Sequence, residues 1–204
     1  MNKEMFVGFV RFGGYEYLKR KSLYQSRRPI SDSIDCGMRS FVWGLQAETI
    51  ARIFSIPFLI NEARHLPSLF PLFDNQQKLV PINFIPHFLE IPRFAIQISV
   101  YEALTYYSVE YPLYDEVKNW NKFVLMKMNA SLSASFITGF VTFVLFTPIE
   151  LFMEHILRSS NSGRRTRVNY TQKLMQKMGQ PLRSVAKTVI TLTVYEAFKL
   201  IAFL

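Results

Sequence analysis

One charged motif recurs in the sequence, an aromatic residue and a glutamate followed three residues later by a base. Its copies are Tyr15-Glu16-Tyr17-Leu18-Lys19, Tyr101-Glu102-Ala103-Leu104-Thr105 and Tyr195-Glu196-Ala197-Phe198-Lys199. Only the second copy lacks the base, because Thr105 stands in that position. Residues three apart share one helix face, and acids and bases in apolar surroundings attract strongly when paired and are costly when one is missing. The motif therefore predicts an acid and a base on the same face of each helix that carries it in full.

A second feature, a proline within an apolar stretch, alternates with this motif. Pro57 and Pro148 are 91 residues apart, and they precede the next Tyr-Glu pair by 44 and 47 residues. The pattern predicts two units, each a proline-bearing helix, a polar connection and a helix ending in Tyr-Glu, after one unaccompanied Tyr-Glu helix. The alternative is that common residue pairs coincide by chance.

The residue types that carry catalysis or bind metals are scattered. The three histidines, His65, His87 and His155, are 22 or more residues apart, and Cys36 is the single cysteine. A metal site needs ligands that converge, and neither a phosphate-binding loop nor a nucleophilic serine motif is present. We therefore predict a protein that is not an enzyme and has no catalytic, metal or cofactor site, although it can belong to an enzyme complex as a non-catalytic subunit.

The apolar residues occur in blocks that predict membrane-spanning helices. Residues 129–149 contain no charge over 21 positions, and about 20 helical residues cross a bilayer core. The 204 residues are 50% apolar and 15% aromatic, a composition that excludes a disordered chain. The predicted fold class is an all-α membrane protein, a bundle of about five transmembrane helices with a polar side. These helices are Lys3–Arg20, Phe41–Arg64, Pro92–Tyr111, Asn129–Leu157 and Leu182–Leu204.

These features together resemble the mitochondrial carrier family. Odd-numbered helices of that family carry P-x-[DE]-x-x-[KR], which resembles Pro148-Ile149-Glu150, and its even-numbered helices end in [FY]-[DE]-x-x-[KR]. The resemblance implies a multi-pass protein of the mitochondrial inner membrane with a threefold pseudo-repeat in one domain, 1–204. Residues 1–38 would be a remnant of the first repeat, 39–118 the second and 119–204 the third.

The chain departs from the family pattern in its odd-numbered helices. Aligned on the Tyr-Glu pairs, Met1 falls near the start of the family's second helix, so the resemblance implies an incomplete bundle. The motif at Pro57 has Leu59 where an acid is expected, and Met153 replaces the base after Glu150. We therefore expect a nearly complete charge network on the even helices and a vestigial odd-helix motif at Pro57, Pro148 and Glu150. A lone chain would leave three interior charges facing lipid, namely Glu48, Arg52 and Glu102.

An incomplete bundle with one charge network predicts loss of transport. The first hypothesis is a transport-inactive subunit of a large inner-membrane assembly such as a respiratory-chain complex, where other membrane subunits are its partners. The alternative is a working metabolite carrier, acting as an oligomer or with a partner chain, in which Arg183 contacts the substrate. A third hypothesis is an unrelated helical membrane subunit whose repeats are accidental.

Basic residues concentrate between His155 and Arg183, where seven lysines and arginines occur without an acid. The candidate contacts are Arg158, Arg164, Arg165 and Arg167. They predict binding to an anionic lipid such as cardiolipin or to an acidic partner, or else a solvated loop. No nucleic-acid partner is expected, since no binding motif accompanies the charge. The proline-rich segment 66–92 is expected to lack regular helix and to serve as a docking segment or a structured loop.

Overall fold

Five long α-helices make up almost all of the chain that the computed structural model describes, residues 3–25, 30–65, 84–110, 120–161 and 181–202. They are α1 (Lys3–Gln25), α2 (Ser33–His65), α3 (Ile85–Glu110), α4 (Trp120–Asn161) and α5 (Pro181–Ala202). No β-strand occurs in these ranges. The predicted all-α class is thus confirmed for the described residues.

Three helices, α2, α3 and α4, begin earlier than the apolar blocks predict, and α4 does so by nine residues, at Trp120 and not at Asn129. The first is α2, which begins at Ser33 although its apolar block starts at Phe41. The second is α3, which begins at Ile85 and carries Pro92 in its interior. The expectation that 66–92 lacks regular helix is therefore wrong for residues 85–92. A proline in the first helical turn removes no intrahelical hydrogen bond, as at Pro86. The rest of that segment, 66–83, lies outside the described residues.

The early start of α2 has a local cause in its cap. The Asp32 carboxylate accepts a hydrogen bond from the backbone N–H of Asp35 at 2.8 Å, which is the arrangement of an N-cap. The Asp35 carboxylate accepts in turn from Arg39 Nε at 2.9 Å and from the Ser31 backbone N–H at 3.2 Å. The hydrogen bond from Arg39 is the main cause that lowers the pKa of Asp35 below its ordinary value.

Replacing the cap should weaken the start of α2. We expect Asp32→Ala to reduce the free energy of unfolding by about 1 kcal/mol, because the Asp35 N–H loses its acceptor. Asp32→Asn, which keeps an acceptor oxygen, is the matched control and should differ little from the wild type. Denaturant titration of the detergent-solubilised protein measures both, and equal losses in the two variants would argue against the cap.

Consecutive helices pack as antiparallel neighbours. α1 packs on α2, α2 on α3, α3 on α4 and α4 on α5. Close approach depends on glycines: a Cβ added to Gly44 of α2 would lie 2.5 Å from Ile98 of α3, and one added to Gly139 of α4 would lie 3.2 Å from Val185 of α5. Small residues at such crossings let helix backbones come close. Two pairs of small residues four positions apart are buried, Ala47 and Ala51 in α2 and Ser135 and Gly139 in α4.

The two ends of this series, α1 and α5, meet mainly through side chains near one end. Because every consecutive pair is antiparallel, α1, α3 and α5 run in the same direction. The ring of Phe12 stacks on that of Tyr195 with centroids 4.9 Å apart, and the Tyr15 and Tyr195 centroids are 6.3 Å apart. In the described residues α1 and α5 show no extended packing of the kind that joins consecutive helices.

All five helices contribute to one central cluster, which is largely aromatic. Its buried members are Tyr15, Trp43, Ala47, Phe94, Ile98, Tyr101, Ala134, Leu192 and Tyr195. Burying a large apolar side chain contributes roughly 1.5–3 kcal/mol. The cluster is therefore the main apolar contribution to the fold, and it fixes the helix ends at which the Tyr-Glu motifs stand.

Buried positions correspond between α2 and α4 at an offset of 91 residues, the spacing of Pro57 and Pro148. The matching buried pairs are Ser40 with Ser131, Trp43 with Ala134, Gly44 with Ser135, Ala47 with Thr138, Glu48 with Gly139, Ala51 with Thr142 and Ser55 with Phe146. α3 and α5 correspond at an offset of 94 residues, with Phe94, Ile98, Tyr101 and Glu102 matching Thr188, Leu192, Tyr195 and Glu196. These helices thus present equivalent positions to the interior.

One described segment has the length and apolarity needed to cross a membrane. It is Lys127–Glu154 of α4, 28 residues long with a mean hydropathy of 1.8 in its most apolar window. No other described helix reaches that combination. Large apolar side chains nevertheless lie exposed on the outer faces of α1, α2, α4 and α5.

Candidate functional site

The three motif tyrosines converge where α1, α3 and α5 come together. The Tyr101 and Tyr195 ring centroids are 6.5 Å apart, and Tyr15 contacts Tyr195 as described above. The Tyr15 hydroxyl donates to Ser40 Oγ of α2 at 3.0 Å, and the Tyr101 hydroxyl lies 2.5 Å from Ser131 Oγ of α4. Each of these two tyrosines thus bonds a buried serine of the next helix in the series.

Tyr195 differs from them because its hydroxyl bonds carboxylates. It donates to Glu16 of α1, and Glu102 Oε1 of α3 lies 3.4 Å away. The three tyrosines therefore form a buried layer directly beneath the motif charges. This layer connects α5 with α1 and α3.

The motif charges form one cluster around Glu102, as the sequence predicts. Lys19 Nζ of α1 lies 2.7 Å from Glu102 Oε2, and Lys199 Nζ of α5 lies 3.8 Å from Glu102 Oε1. Lys199 also pairs with Glu196 at 2.8 Å on its own helix. Buried ion pairs hold helices together only when each charge has its partner. Glu102 therefore joins the ends of α1, α3 and α5.

The second motif has no base, and this changes the balance of acids and bases in the cluster. Three glutamates face two lysines, and Oε2 of Glu196 is buried without a hydrogen-bond partner among the described residues. Thr105, which stands in the base position, donates its hydroxyl to the carbonyls of Tyr101 and Glu102 in its own helix. The three motifs are thus one cation short, and Arg20 of α1, 3.8 Å from Glu16, is an additional base beside the cluster.

One sequence expectation, that interior charges of a lone chain face lipid, is wrong. The lone chain was expected to leave Glu48, Arg52 and Glu102 facing lipid, but both glutamates are buried and all three residues have ion-pair partners. The two glutamates can be buried because an arginine or a lysine from another helix pairs with each carboxylate. The partner charges come from helices that sequence spacing alone cannot bring together.

A second charge network lies about two helical turns from the tyrosines. The Glu48 side chain is 0% exposed and accepts from Arg11 Nη2 of α1 at 2.6 Å and from Arg52 Nε at 2.5 Å. Arg11 Nε donates to the second carboxylate oxygen, so its contact is bidentate, and the guanidinium carbon lies 4.9 Å from the Phe94 ring centroid. The result is a buried Arg–Glu–Arg triad.

This network continues across α3 to α4. Arg52 Nη2 lies 3.8 Å from Glu90, Arg93 lies 3.2 Å from Glu90, and Arg93 Nη1 lies 2.5 Å from Glu150 Oε1. The odd-helix Glu150 was expected to have lost its base, but Arg93 of α3 supplies one. Pro57 and Pro148, the other two residues of that vestigial motif, are exposed within α2 and α4. The network thus links four helices by alternating charges.

A histidine is built into the same network. His87 Nδ1 lies 3.3 Å from Arg52 Nη1, and its Nε2 lies 3.0 Å from Ser55 Oγ. The arginine can only donate, so Nδ1 is the acceptor and Nε2 carries the proton. The Ser55 hydroxyl donates to the Arg52 carbonyl at 2.8 Å, which leaves its oxygen free to accept from His87. His87 therefore orients Arg52 toward Glu48.

Charged residues outside the Tyr-Glu motifs indicate part of this second network in the sequence. Glu48 and Arg52 are four residues apart, and Glu90 and Arg93 are three apart, spacings at which helical side chains meet. The spacing is visible in the sequence, although it does not reveal that Arg11 joins them.

Arg183 lies in a pocket between α3, α4 and α5. The pocket has a volume of about 300 Å³ and is lined by Arg93, Phe143, Phe146, Thr147, Glu150, Arg183, Ser184 and Lys187. It combines aromatic walls, two hydroxyls and several cations, a surface suited to an anion with an apolar part. Arg183, the predicted substrate contact, is thus one of the residues that line this pocket.

The predicted lipid contacts are not observed. Arg164, Arg165 and Arg167 lie outside the described residues, and for Arg158 only the helical backbone of α4 is described. No group of three or more histidine, cysteine, aspartate or glutamate side chains within the described ranges converges to hold a metal ion.

No protein-family model, no curated protein and no solved structure matches the chain.

Proposed function

We propose that this chain is a transport-inactive, carrier-type membrane protein that serves as a structural subunit of a large mitochondrial inner-membrane assembly, with respiratory-chain complexes as the first to test. The main support is the interior, which side chains fill. The aromatic cluster occupies one level, and the Arg11–Glu48–Arg52 triad occupies another. A carrier must open its centre to each side of the membrane in turn. Contacts between helices at both of these levels oppose such opening.

The correspondence between helices supports the carrier-type fold. Buried positions of α2 and α4 coincide at the spacing of their prolines, and those of α3 and α5 coincide at the spacing of their Tyr-Glu pairs. Tyr15 and Tyr101 also bond equivalent serines, Ser40 and Ser131. This equivalence favours the threefold pseudo-repeat over accidental repetition.

Five membrane-spanning helices are part of the proposal. Phe9, Phe136 and Ile190 are examples of large apolar side chains on outer faces, whereas the carboxylates of Glu48 and Glu102 are buried and pair with bases of α1. Such an inside-out distribution is typical of helices surrounded by lipid or by other membrane subunits. Anionic lipid at the basic segment around Arg164 would fit the same setting.

Native gel electrophoresis of gently solubilised mitochondrial membranes tests the proposal. We expect the protein to migrate with an assembly of several hundred kilodaltons and to remain with it through a second purification step. Migration alone or as a small oligomer would contradict a subunit role. Membranes that lack the protein, extracted with the same detergent, should then show whether the assembly is less stable without it.

The pocket at Arg183 favours one second candidate, a working metabolite carrier for a small anion. Arg183→Ala should then abolish uptake into reconstituted vesicles, because the pocket loses an exposed cation. Lys21→Ala, which removes an exposed cation outside the pocket, is the control and should leave uptake intact. Absence of uptake by the wild-type protein, or uptake unaffected by Arg183→Ala, would exclude this candidate site.

A further inference from the structure

The series of packed helices leaves a cleft between its two ends. α1 and α5 are joined near Tyr15 and Tyr195, and their N-terminal halves lack extended packing on each other in the described residues. We define the α1–α5 cleft by residues 5–13 of α1 and 183–194 of α5. The cleft lies on the side of the array where each of these helices lacks a second neighbour.

The α1 wall of the cleft is an exposed stripe at four-residue spacing. Met5, Phe9 and Gly13 share one helix face, and Phe9 is 80% exposed. A Cβ added to Gly13 would meet no atom within 4 Å. A small residue between large apolar ones forms a notch that a neighbouring helix can enter.

Other glycines in the chain show how such a notch is used. Gly44 faces Ile98 and Ala95 of α3, while Gly139 faces Val185 and Thr188 of α5, with contacts of 2.5–3.3 Å to an added Cβ. Both therefore stand at crossings where two helices come close. Gly13 offers an equivalent crossing on the outer face of α1.

The α5 wall adds charge to an apolar surface. Ile190 and Val194 are exposed there, and Lys187 and Arg183 form no ion pair with any described residue. Glu150, the acid that shares their pocket, already lies 2.5 Å from Arg93. Lys187 and Arg183 share a pocket with Glu150 but lie outside ion-pair distance of any described acid, so a negative partner would stabilise these two cations in a proposed membrane segment.

We propose that the α1–α5 cleft binds one transmembrane helix of a partner subunit, which packs a small residue against Gly13 and directs a carboxylate at Lys187 and Arg183. This inference depends on the proposed subunit function. Gly13 precedes Tyr15 by two residues and Lys187 precedes Tyr195 by eight. At 1.5 Å per residue the two levels are about 9 Å apart, so the partner's acid lies about two turns from its small residue.

Site-specific photo-crosslinking in native membranes tests the occupant. A photoreactive phenylalanine analogue is placed at Phe9, and at Phe54 of α2 as a control of comparable chemistry and 58% exposure. We expect Phe9 to give one discrete protein adduct, whose attached peptide is an apolar helix with an acid about two turns from a small residue. Adducts with lipid only, with a second copy of this chain, or with the same proteins as Phe54 would overturn the proposal.

Two substitutions extend the test. Gly13→Leu adds bulk where no atom lies within 4 Å, so it should preserve the fold while reducing the crosslink at Phe9 about tenfold; Gln46→Leu on the exposed face of α2 is the control. Lys187→Glu should weaken association with the identified partner, and changing that partner's acid to lysine should restore it. An undiminished crosslink in Gly13→Leu would contradict the proposal.

Native gels separate the two possible failures. A protein that migrates with a large assembly but gives no Phe9 adduct of the expected kind would refute the cleft inference and leave the proposed function intact. Migration alone would refute the proposed function and the cleft inference together.

Discussion

Glu48→Gln is expected to destabilise the fold by about 3–5 kcal/mol, the loss that follows removal of one charge from a buried ionic group. The substitution preserves shape but leaves the largely buried guanidinium groups of Arg11 and Arg52 facing an amide, and the nearest remaining anion is Glu90, 3.8 Å from Arg52. The loss of stability should appear as a large decrease in the midpoint of thermal or denaturant unfolding of the detergent-solubilised protein.

The matched control for this variant is Glu90→Gln. The Glu90 side chain is 38% exposed and its ion pairs measure 3.2 and 3.8 Å, so its loss should cost less than about 1 kcal/mol. Replacing the whole triad with Arg11→Met, Glu48→Leu and Arg52→Met should be milder than Glu48→Gln, because no buried charge remains unpaired. Comparable stability of Glu48→Gln and wild type would show that the triad contributes little.

Glu102→Gln is expected to produce the second large loss, also about 3–5 kcal/mol. Its carboxylate is buried, lies 2.7 Å from Lys19 and 3.8 Å from Lys199, and joins α1, α3 and α5. Without it, two lysines near the helix ends face each other with only Glu196 and Glu16 nearby. Unfolding measurements on the single variant establish the loss.

A double-mutant cycle identifies the ion pair involved. The structure pairs Lys19 with Glu102 of α3, so Lys19→Met and Glu102→Gln should show a coupling energy within the 0.5–3 kcal/mol typical of contacting residues. The pair Lys19→Met and Glu16→Gln is the control and should be closer to additive, because Glu16 contacts Tyr195 and Arg20. Additivity in the first cycle would contradict the observed pairing.

Much of the helical architecture could be predicted from local sequence. Apolar blocks located all five helices, and proline and Tyr-Glu spacing indicated equivalent positions that later coincided in burial. The ends were predicted less well, because α2 begins at a cap formed by Asp32 and not at its first apolar residue. For α3, Pro86 stands in the first turn, where the missing N–H costs little.

The candidate site was predicted in part. The Tyr-Glu-x-x-Lys residues were correctly expected to gather, since one repeated motif on parallel helices brings like positions to one level. The second network was missed as a unit. Arg11, Glu48 and Arg93 come from three helices, and only helix packing places Arg11 beside Glu48 and Arg93 beside Glu150.

The sequence by itself determined the helices, their apolar faces and the recurrence of one charged motif, because these depend on residue type and on spacings of three or four. The tertiary structure alone decided that Glu150 pairs with Arg93, that Glu48 lies between two arginines, and that α1 and α5 meet at one end. Ion pairs between helices depend on rotation and relative height of whole helices. Those are set by close crossings such as Gly44 on Ile98, which no local pattern encodes.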